Sequence, residues 1–500
     1  HISGLLATQI DSATAKVFRM APRDDDSEDE EVWGLLAGTV EEEPDEVPAP
    51  VVPPTTSSSS RAAAVIHEAA DLPDEEDPCE GPPAATAPAQ GVSRDGFPTA
   101  TPATSSGRTE RSRVLASKMS NRIPADILED TELNAAIDSG LPKSHSFEVH
   151  RTIWRLRRSG SRHVGLQMPE GLQQYALTLA DLFRRFVPTM EYTTIMGDVT
   201  FGACCIDDLG ARAVGVDFLV HYGHSCIVPT DQTTVATLYI HVEVDIDVAH
   251  LVETVRLNFT PDKKIAFMGT VQFTPGTLEA VRILKEEFFT DGKSATVPQV
   301  KPLSIGETLG CTSPAVSSDY DAVVFVCDGR FHLESAMIQN PHIKGGFYRY
   351  DPFYQSLTRE SFGHGEMHEQ RRAAIEAAGK ASMVGLILST LGRQGSSGVL
   401  EGVERLLLEK NVDHITVLLS DVSPERLAAF GDVDCWVQVA CPRLSIDWGD
   451  AYDKPLLTPY EAHIVWGDTK YQDIYPMDYY SNRGGPWSNY GAPKGHGGSL

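Results

Sequence analysis

The chain has 500 residues, of which 41% are hydrophobic, and a formal net charge of −28. This length predicts two to four domains with real cores, and the acidic balance argues against a general nucleic-acid-binding protein, which needs a basic surface. The eight cysteines do not suggest a disulfide framework, and no apolar run approaches the roughly 20 residues needed to span a bilayer. We therefore expect a cytoplasmic protein that binds neither nucleic acid nor membrane.

The first 120 residues are acidic and rich in proline and serine, as in EEEPDEVPAPVVPPTTSSSS (41–60). Such a composition buries too little apolar surface to offset the entropy cost of ordering the chain. We therefore predict a disordered extension over 1–120, and a disordered glycine-rich tail over 484–500. The folded part is expected between them.

Two helices are predicted at the start of the folded part. Their apolar residues recur at helical spacing, and they are Leu133, Ala136, Ile137 and Leu141 in the first helix and Phe147, Val149, Ile153 and Leu156 in the second.

One pattern then occurs three times, about 100 to 120 residues apart. Each occurrence begins with a short apolar strand, at RHVGLQM (162–168), KKIAFMG (263–269) and SMVGLIL (382–388). A helix, a second strand and a third strand follow, and the third strand always comes after an aspartate, in VDFLVHYGH, YDAVVFVCD and VDCWVQVAC. Short apolar strands that alternate with helices predict parallel sheets covered on both faces.

The recurring order predicts an α/β protein made of three repeated βαβ-type domains around a pseudo-threefold axis. The expected domains are 121–258, which includes the helical lead-in, then 259–378 and 379–483. Three unrelated Rossmann-like pieces are the alternative.

Three cysteines stand just beyond strands, where α/β proteins place their chemistry. Cys204 follows the second strand of the first repeat and Cys311 that of the second, whereas Cys441 ends the third strand of the third repeat. A pseudo-threefold arrangement would bring three thiolates together, and they would hold a [4Fe–4S] cluster with one iron open to a substrate. Zinc with three cysteines and a fourth ligand is the competing interpretation.

The other cysteines have simpler explanations. Cys205 is expected to point away from its neighbour, although spacing alone does not choose between Cys204 and Cys205. Cys327 and Cys435 lie inside apolar strands and are predicted to be buried small hydrophobes. Cys226 lies in a strand-end loop near the proposed site. Cys79 falls in the extension.

Four motifs identify a resemblance that covers about 121–480. They closely resemble the catalytic-subunit family of 2-(3-amino-3-carboxypropyl)histidine synthase, which starts diphthamide synthesis on elongation factor 2. The motifs are GDVTFGACCIDDLGARAVGVDFLVHYGHSCIVP, IGETLGCTSP, ILSTLGRQGS and VQVACPRLSIDWG. The resemblance implies three similar domains that each give one cysteine, Cys204, Cys311 or Cys441, to a [4Fe–4S] cluster. It also implies a transferase of the non-standard radical S-adenosylmethionine type, which lacks the C-x₃-C-x₂-C motif, as this sequence does.

Polar groups at the same strand ends are candidates for binding S-adenosylmethionine: Gln167, Gly171, His224, Ser389, Gly392, Arg393, Gln394 and Arg443. Ser389, Gly392 and Gln394, all in STLGRQGS, would bind through backbone and side chain at a helix start. Arg393 and Arg443 could each bind the methionyl carboxylate through a fork of N–H groups. An ion pair between domains is the alternative for each arginine, and a structural role is the alternative for His224. Asp447, in DWG, is expected to fix the loop that carries Cys441.

The resemblance further implies three protein partners. They are a paralogous second subunit that forms a heterodimer, elongation factor 2 as the substrate, and a small iron-binding protein that donates electrons. Quinolinate synthase, which has a similar three-cysteine plan but no S-adenosylmethionine, is one alternative. A non-catalytic scaffold subunit of the same heterodimer is another, and one cysteine per repeat argues against it.

Overall fold

The computed structural model describes the backbone of 5–9 and 15–20, and residues 123–197, 203–223, 227–228, 230–289, 294–479 and 484–488. Contacts divide the chain into two compact units. The larger unit is Ile66–His364 and contains the first two predicted repeats, and the smaller unit is His1–Val65 with Gly365–Leu500 and contains the third. None of the helices in the described part combines the length and apolarity that a bilayer crossing demands.

Two strands lie within the extension that the composition predicts to be disordered. They are β1 (Leu5–Gln9) and β2 (Ala15–Met20), which pair with each other, and β2 also pairs with a strand of the third sheet. The rest of 1–120, and 489–500 of the predicted tail, lie outside the described residues.

Helices open the described part of the larger unit, as the apolar stripes predict. The elements are α1 (Ala125–Leu128), α2 (Thr131–Gly140), β3 (His145–Ser146) and α3 (Val149–Ser159). Asp130 starts α2 because its carboxylate accepts hydrogen bonds from the backbone N–H groups of Glu132 and Leu133, each at 3.0 Å. Leu133 and Ile153 are completely buried against the first sheet. Both predicted lead-in helices are confirmed, but Leu141 and Phe147 lie just outside them.

The first sheet has four parallel strands in the order β5-β4-β6-β7. Its elements are β4 (His163–Gln167), α4 (Glu170–Gln173), α5 (Ala176–Phe186), β5 (Tyr192–Ile195), α6 (Asp208–Ala213), β6 (Phe218–Tyr222), β7 (Ala236–Ile240) and β8 (Glu243–Val244), which pairs with β3. Val220 on one face of β6 packs with the lead-in helices, and Leu219 on the other face packs with α6. The sheet is therefore covered on both faces.

The second sheet has the order β10-β9-β11-β12-β13, in which only β13 is antiparallel. Its elements are α7 (Val248–Asn258), β9 (Ile265–Gly269), α8 (Thr274–Glu287), β10 (Ala295–Thr296), β11 (Ala322–Val326), α9 (Phe331–Gln339), β12 (Phe347–Asp351) and β13 (Ser356–Glu360). Phe267 packs on the α7 and α8 side and Met268 on the α9 side. This alternation also buries both faces.

The third sheet forms the smaller unit and has the order β1-β2-β15-β14-β16-β17. Its elements are α10 (His364–Ala378), β14 (Met383–Ser389), α11 (Ser397–Glu409), β15 (Asp413–Leu419), α12 (Pro424–Ala428), β16 (Cys435–Val439), α13 (Pro442–Trp448), β17 (Leu456–Leu457) and α14 (Pro459–Val465). Ala374, Ile375 and Ala378 of α10 pack in this core. The structure thus places α10 with the third repeat, whereas the sequence places it at the end of the second.

The three sheets share one strand order, as the repeat predicts. In each, the first strand of the repeat lies between the second and the third, and a fourth parallel strand (β7, β12 or β17) follows the third. The sequence did not predict this fourth strand. The parallel α/β class is confirmed, and the arrangement of the repeats around a common axis stays a prediction.

The recurring aspartate has one structural role in all three repeats. The carboxylates of Asp217, Asp321 and Asp434 accept hydrogen bonds from the backbone N–H groups that begin the first strand, from His163 at 3.1 Å, Lys264 at 2.8 Å and Met383 at 2.9 Å. Each aspartate therefore connects the start of the third strand to the start of the first.

This role predicts a pH dependence that can be measured at Asp434. The backbone N–H groups of Met383 and Ser382 hold the pKa of Asp434 below its usual range. A carboxylate with a lowered folded-state pKa adds stability above its unfolded value, about 3.9, and loses it as pH falls through the folded value. We expect the unfolding temperature of Asp434→Asn to fall less than that of the wild type between pH 7 and about pH 3, as measured by calorimetry. Asp432→Asn is the exposed control, and equal slopes in all three proteins would contradict the assignment.

Candidate metal centre

The six described cysteines fall into two groups by exposure. Cys204, Cys311 and Cys441 are half-buried, whereas Cys205, Cys327 and Cys435 are buried. Burial raises the pKa of the thiols of Cys327 and Cys435 to about 12. Because a metal ligand must be a thiolate, the buried group is poorly suited to metal binding. The predicted burial of Cys327 and Cys435 is confirmed. Cys205 is buried as well, but the prediction that it points away from Cys204 is wrong, because the two Sγ atoms lie 3.9 Å apart.

Cys204 lies in a short 3-10 turn, Ala203–Cys205, that the buried side chain of Gln167 holds. Gln167 Nε2 donates to the carbonyl oxygen of Cys205 at 2.8 Å, and Gln167 Oε1 accepts from the backbone N–H of Asp207 at 3.1 Å. His221 Nδ1 lies 3.0 Å from the same Oε1, which can only accept, so Nδ1 carries the hydrogen. Gln167, predicted to bind the cofactor, therefore positions the Cys204 turn.

Cys311 lies in the loop that follows β10, and this loop runs beside the carboxyl end of β9, where Glu307 forms a parallel bridge with Gly269. The backbone N–H of Thr308 donates to the carbonyl oxygen of Gly269 at 3.0 Å, and the Thr308 hydroxyl contacts Met268 Sδ at 4.0 Å. A side chain at Gly310 would place its Cβ 2.1 Å from the ring of Phe331, the first residue of α9. The glycine thus allows the loop to pass directly beside α9.

Cys441 is the residue that precedes α13, and a second buried glutamine holds it. Gln438 Nε2 donates to the carbonyl oxygen of Cys441 at 2.9 Å and to Ser445 Oγ at 3.0 Å. Gln438 is completely buried in β16. The start of α13 is therefore attached to the end of β16.

Gln167 and Gln438 belong to strand pairs that occupy equivalent positions in their sheets. The recurring aspartate precedes the third strand of each repeat, and the fifth residue counted from that aspartate pairs with a residue of the first strand. The pairs are Gln167–His221, Met268–Phe325 and Ile387–Gln438. One member of each pair contacts the cysteine loop of its own repeat. Each cysteine loop is therefore contacted from an equivalent strand position, by Gln167, Met268 or Gln438.

Removing one support should weaken its cysteine loop. Gln438→Leu would leave the carbonyl of Cys441 without this buried donor, so we expect a loss of about 1 to 3 kcal/mol in the free energy of unfolding of the smaller unit. Urea denaturation followed by tryptophan fluorescence measures it. Gln370→Leu, on the exposed face of α10, is the matched control. An equal effect of the two substitutions would rule out the support.

A three-cysteine cluster is compatible with this donor set. Each repeat presents one half-buried thiol beyond the carboxyl edge of its sheet, which suits iron–sulfur ligation by thiolates. Across the described residues, no three His, Cys, Asp or Glu side chains already form a group that could hold a metal ion. The assembly of Cys204, Cys311 and Cys441 around one cluster stays a prediction.

The predicted cofactor-binding turn of the third repeat connects β14 to α11. Ser389 Oγ accepts from the backbone N–H of Leu391 at 3.2 Å and donates to Gln394 Oε1 at 3.4 Å. Gly392 has a φ of +53°, which favours glycine. Arg393 is half-buried in this turn, and α11 begins at Ser397, as the motif predicts. The turn is tight and ends at the start of a 13-residue helix.

Arg443 is 2% exposed and forms an ion pair within its own helix. Its Nε lies 2.7 and 2.8 Å from the two carboxylate oxygens of Asp447. The predicted role of Asp447 in fixing the region around Cys441 agrees with this pair. The alternative predicted for Arg443 was an ion pair between domains, whereas the described pair lies within one helix. Binding of a substrate carboxylate by Arg443 stays a prediction.

The remaining predictions for this region concern Gly171, His224 and Cys226. Gly171 is exposed in α4, and a Cβ there would meet no atom within 4 Å, so packing does not require glycine at this position. His224 and Cys226 lie outside the described residues.

One family model, described as "Putative diphthamide synthesis protein", matches residues 168–476, which is more than half of the chain. The chain belongs to this family. The 2-(3-amino-3-carboxypropyl)histidine synthase subunit 1 of Mus musculus is 49% identical over 392 residues, 77% of this chain and 87% of the relative. The same subunit of Aspergillus fumigatus is 50% identical over 370 residues, 73% of this chain and 81% of the relative. The resemblance inferred from the cysteine motifs is confirmed.

One solved structure has a similar fold. The crystal structure of Dph2 from Pyrococcus horikoshii with a 4Fe-4S cluster matches with a TM-score of 0.55 and 25% identity, over 67% of this chain and 93% of that one. The relatives are named as synthase subunits, and this structural neighbour contains the type of cluster predicted from the three cysteines.

The sequence did not single out two residues that support the site of this family member. Gln438 could have been found, because a glutamine inside the apolar strand CWVQV is unusual and stands at the same place after its aspartate as His221. Arg371 gave no such signal. Its partner Glu461 is 90 residues away in the sequence, and only the folded chain brings them together.

Proposed function

We propose that this chain transfers the 3-amino-3-carboxypropyl group of S-adenosylmethionine to a histidine of elongation factor 2, the first step of diphthamide biosynthesis. The observation that carries the proposal is the division of the cysteines. In a member of the diphthamide synthesis family, each repeat presents one half-buried thiol at its sheet edge and buries another. An accessory subunit would not need a complete set of three accessible cysteines.

The reaction explains why such ligands are needed. The carbon between the two nitrogens of an imidazole is a poor nucleophile, so an ordinary displacement is unfavourable and a radical route is sensible. A [4Fe–4S] cluster held by Cys204, Cys311 and Cys441 would supply the electron that breaks the bond between the sulfonium and the amino-acid chain. Gln167 and Gln438 hold the loops of two of these ligands through backbone carbonyl groups.

The turn from Ser389 to Gln394 is proposed to bind S-adenosylmethionine. The backbone N–H groups at the start of α11 favour a carboxylate, and Arg393 stands in the same turn. Arg443, beside Cys441, is the second candidate for the methionyl carboxylate. Gly171 and His224 stay candidates from the sequence.

Three partners belong to the proposal. A paralogous second subunit would complete a heterodimer, a small iron-binding protein would supply electrons, and elongation factor 2 would be the protein substrate. The resemblance of the motifs supports each of them, and a cytoplasmic location follows from that substrate.

The test is an anaerobic assay of the complete heterodimer with S-adenosylmethionine, a reductant and elongation factor 2. We expect the target histidine to gain one 3-amino-3-carboxypropyl group by mass spectrometry, with 5′-methylthioadenosine as the second product in equal amount. Formation of 5′-deoxyadenosine, or no transfer by a heterodimer with a full iron and sulfide content, would overturn the proposal. Quinolinate formation without cleavage of S-adenosylmethionine would favour the alternative enzyme.

A further inference from the structure

Cys204 and Cys205 are neighbours in the sequence, and their thiols are also in contact. The two Sγ atoms lie 3.9 Å apart in the Ala203–Cys205 turn. Cys204 is half-buried, whereas Cys205 is completely buried. A small oxidant in the solvent can therefore reach Cys204, and the thiol of Cys205 stands beside it, out of the oxidant's reach.

This arrangement suits a pair of attacking and resolving cysteines. In proteins that respond to oxidants, an accessible thiolate is oxidised to a sulfenic acid, and a neighbouring thiol converts this group to a disulfide before it is oxidised further. A resolving thiol needs to meet only the sulfur beside it, so burial is no obstacle to this role. The role also fits the sequence, because the predicted three-cysteine ligand set uses Cys204 and leaves Cys205 without a function.

The chain is anchored on the Cys205 side of the pair. Gln167 Nε2 donates to the carbonyl oxygen of Cys205 at 2.8 Å, and the backbone N–H of Asp207 donates to Gln167 Oε1 at 3.1 Å. The carboxylate of Asp207 in turn accepts from the backbone N–H of Gly210, in the first turn of α6, at 2.8 Å. A bond between the two sulfurs, about 2.05 Å long, is therefore expected to form by a movement of Cys204 toward Cys205.

A disulfide between consecutive residues is strained. Consecutive Cα atoms are about 3.8 Å apart, whereas the Cα atoms of bridged cysteines are usually about 4.4 to 6.8 Å apart. Strain makes a disulfide easier to reduce. A bond between Cys204 and Cys205 therefore fits a temporary state of the chain better than a permanent structural link.

We propose that Cys204 and Cys205 form a reversible disulfide when a hydroperoxide oxidises the chain before iron is bound, and that Cys205 thereby protects Cys204 from irreversible oxidation. The disulfide withholds Cys204 from iron until a dithiol reduces it again. This last consequence rests on the proposed cluster, whereas the disulfide itself requires only the two thiols in contact.

The oxidation balances with hydrogen peroxide as the two-electron oxidant. The sulfur of Cys204 attacks one peroxide oxygen, the O–O bond breaks, and a sulfenic acid and one water are formed. The sulfur of Cys205 then attacks the sulfur of the sulfenic acid, the S–S bond forms, and the S–O bond breaks. The hydroxyl leaves with the proton of the Cys205 thiol as a second water. The two thiols together lose the two electrons that the peroxide gains.

The test uses the full chain, reduced and freed of iron by a chelator under anaerobic conditions, and then treated with an equimolar amount of hydrogen peroxide. The remaining thiols are alkylated, and the chain is cleaved for mass spectrometry. We expect the peptide that contains both cysteines to lack both alkyl groups and to be lighter than the reduced peptide by two hydrogen atoms. Dithiothreitol should restore alkylation at both positions. A disulfide that joins Cys204 to a cysteine outside the turn, or alkylation of both thiols of the pair, would overturn the inference.

Cys205→Ser removes the resolving thiol and should leave Cys204 open to further oxidation. With excess peroxide we expect several-fold more sulfinic acid at Cys204 than in the wild type, and a matching loss of iron uptake after reduction with dithiothreitol. Cys327→Ser removes a buried thiol of the second repeat, so it is the matched control and should behave as the wild type does. Equal amounts of sulfinic acid in the wild type and Cys205→Ser would contradict the protective role.

The disulfide and the proposed function fail separately. The peptide mass of the wild type needs no substitution, so a poorly folded variant leaves the test of the disulfide intact. If the untreated wild type takes up no iron and sulfide, the proposed function fails, and the peptide mass still reports on the disulfide. If it takes up a cluster but forms no disulfide, only this inference fails.

Discussion

Replacing Arg371 by alanine should lower the free energy of unfolding of the smaller unit by about 3 to 5 kcal/mol. Arg371 is 3% exposed and its partner Glu461 is 0% exposed. The guanidinium forms two parallel hydrogen bonds of 2.7 Å with the carboxylate, and it also donates to the carbonyl oxygens of Ser445 at 2.7 Å and Leu456 at 2.8 Å. Its removal would leave a buried carboxylate without its counter-charge, which is why the effect should be large.

The same substitution should also loosen the helix that follows Cys441. Ser445 belongs to α13, and Gln438 binds it as well. Hydrogen exchange measured by mass spectrometry should therefore increase in peptides from α13 and α14, and urea denaturation should give the change in stability. Glu376→Ala is the control on the same helix, because its pair with Lys380 is exposed and should contribute no more than about 0.5 kcal/mol. A stability of Arg371→Ala equal to that of the control would show that the buried pair has no such role.

Replacing any one of Cys204, Cys311 and Cys441 by alanine should abolish the four-iron EPR signal and the transfer reaction of the heterodimer. Each is expected to be one of three protein ligands, so the loss of any one would leave the cluster without a complete set of thiolates. The measurement is anaerobic reconstitution with iron and sulfide, followed by metal and sulfide analysis and EPR of the reduced protein.

The structure supplies a matched control for each of the three variants. Cys205→Ala, Cys327→Ala and Cys435→Ala remove a buried thiol from the first, second and third repeat. These variants should keep the signal and the activity. Normal activity of Cys311→Ala would support the accessory-subunit alternative, zinc in place of iron would support the zinc alternative, and loss of the signal in all six variants would point to unfolding instead of lost ligation.

The repeat could be predicted from the sequence because its signals are local. Short apolar strands, the helices between them and the aspartate before each third strand stand within one repeat, and the shared strand order agrees with them. The fourth strands were not predicted. Leu456–Leu457 of β17 has two residues, which are too few to show a periodicity, and it becomes a strand only by pairing with β16.

The candidate site could be predicted in part because the positions of its cysteines are also local signals. Cys204, Cys311 and Cys441 stand out because each follows a strand in a repeated frame. The role of Gln167 was predicted only as cofactor binding, because its position at a strand end suits both a ligand contact and a structural contact. The groups around the Gln167 side chain decide between these two roles. The groups that it contacts, the carbonyl of Cys205 and the N–H of Asp207, belong to residues about 40 positions later in the chain.

The sequence by itself determined the α/β class, the three repeats, the family and the three cysteines at strand ends, because strand pattern and motif spacing are properties of contiguous residues. Only the tertiary structure decided which cysteines are accessible, that Gln438 supports Cys441 and that Arg371 pairs with Glu461. These properties depend on burial and on contacts between residues far apart in the chain, which exist only after the sheets and helices have packed.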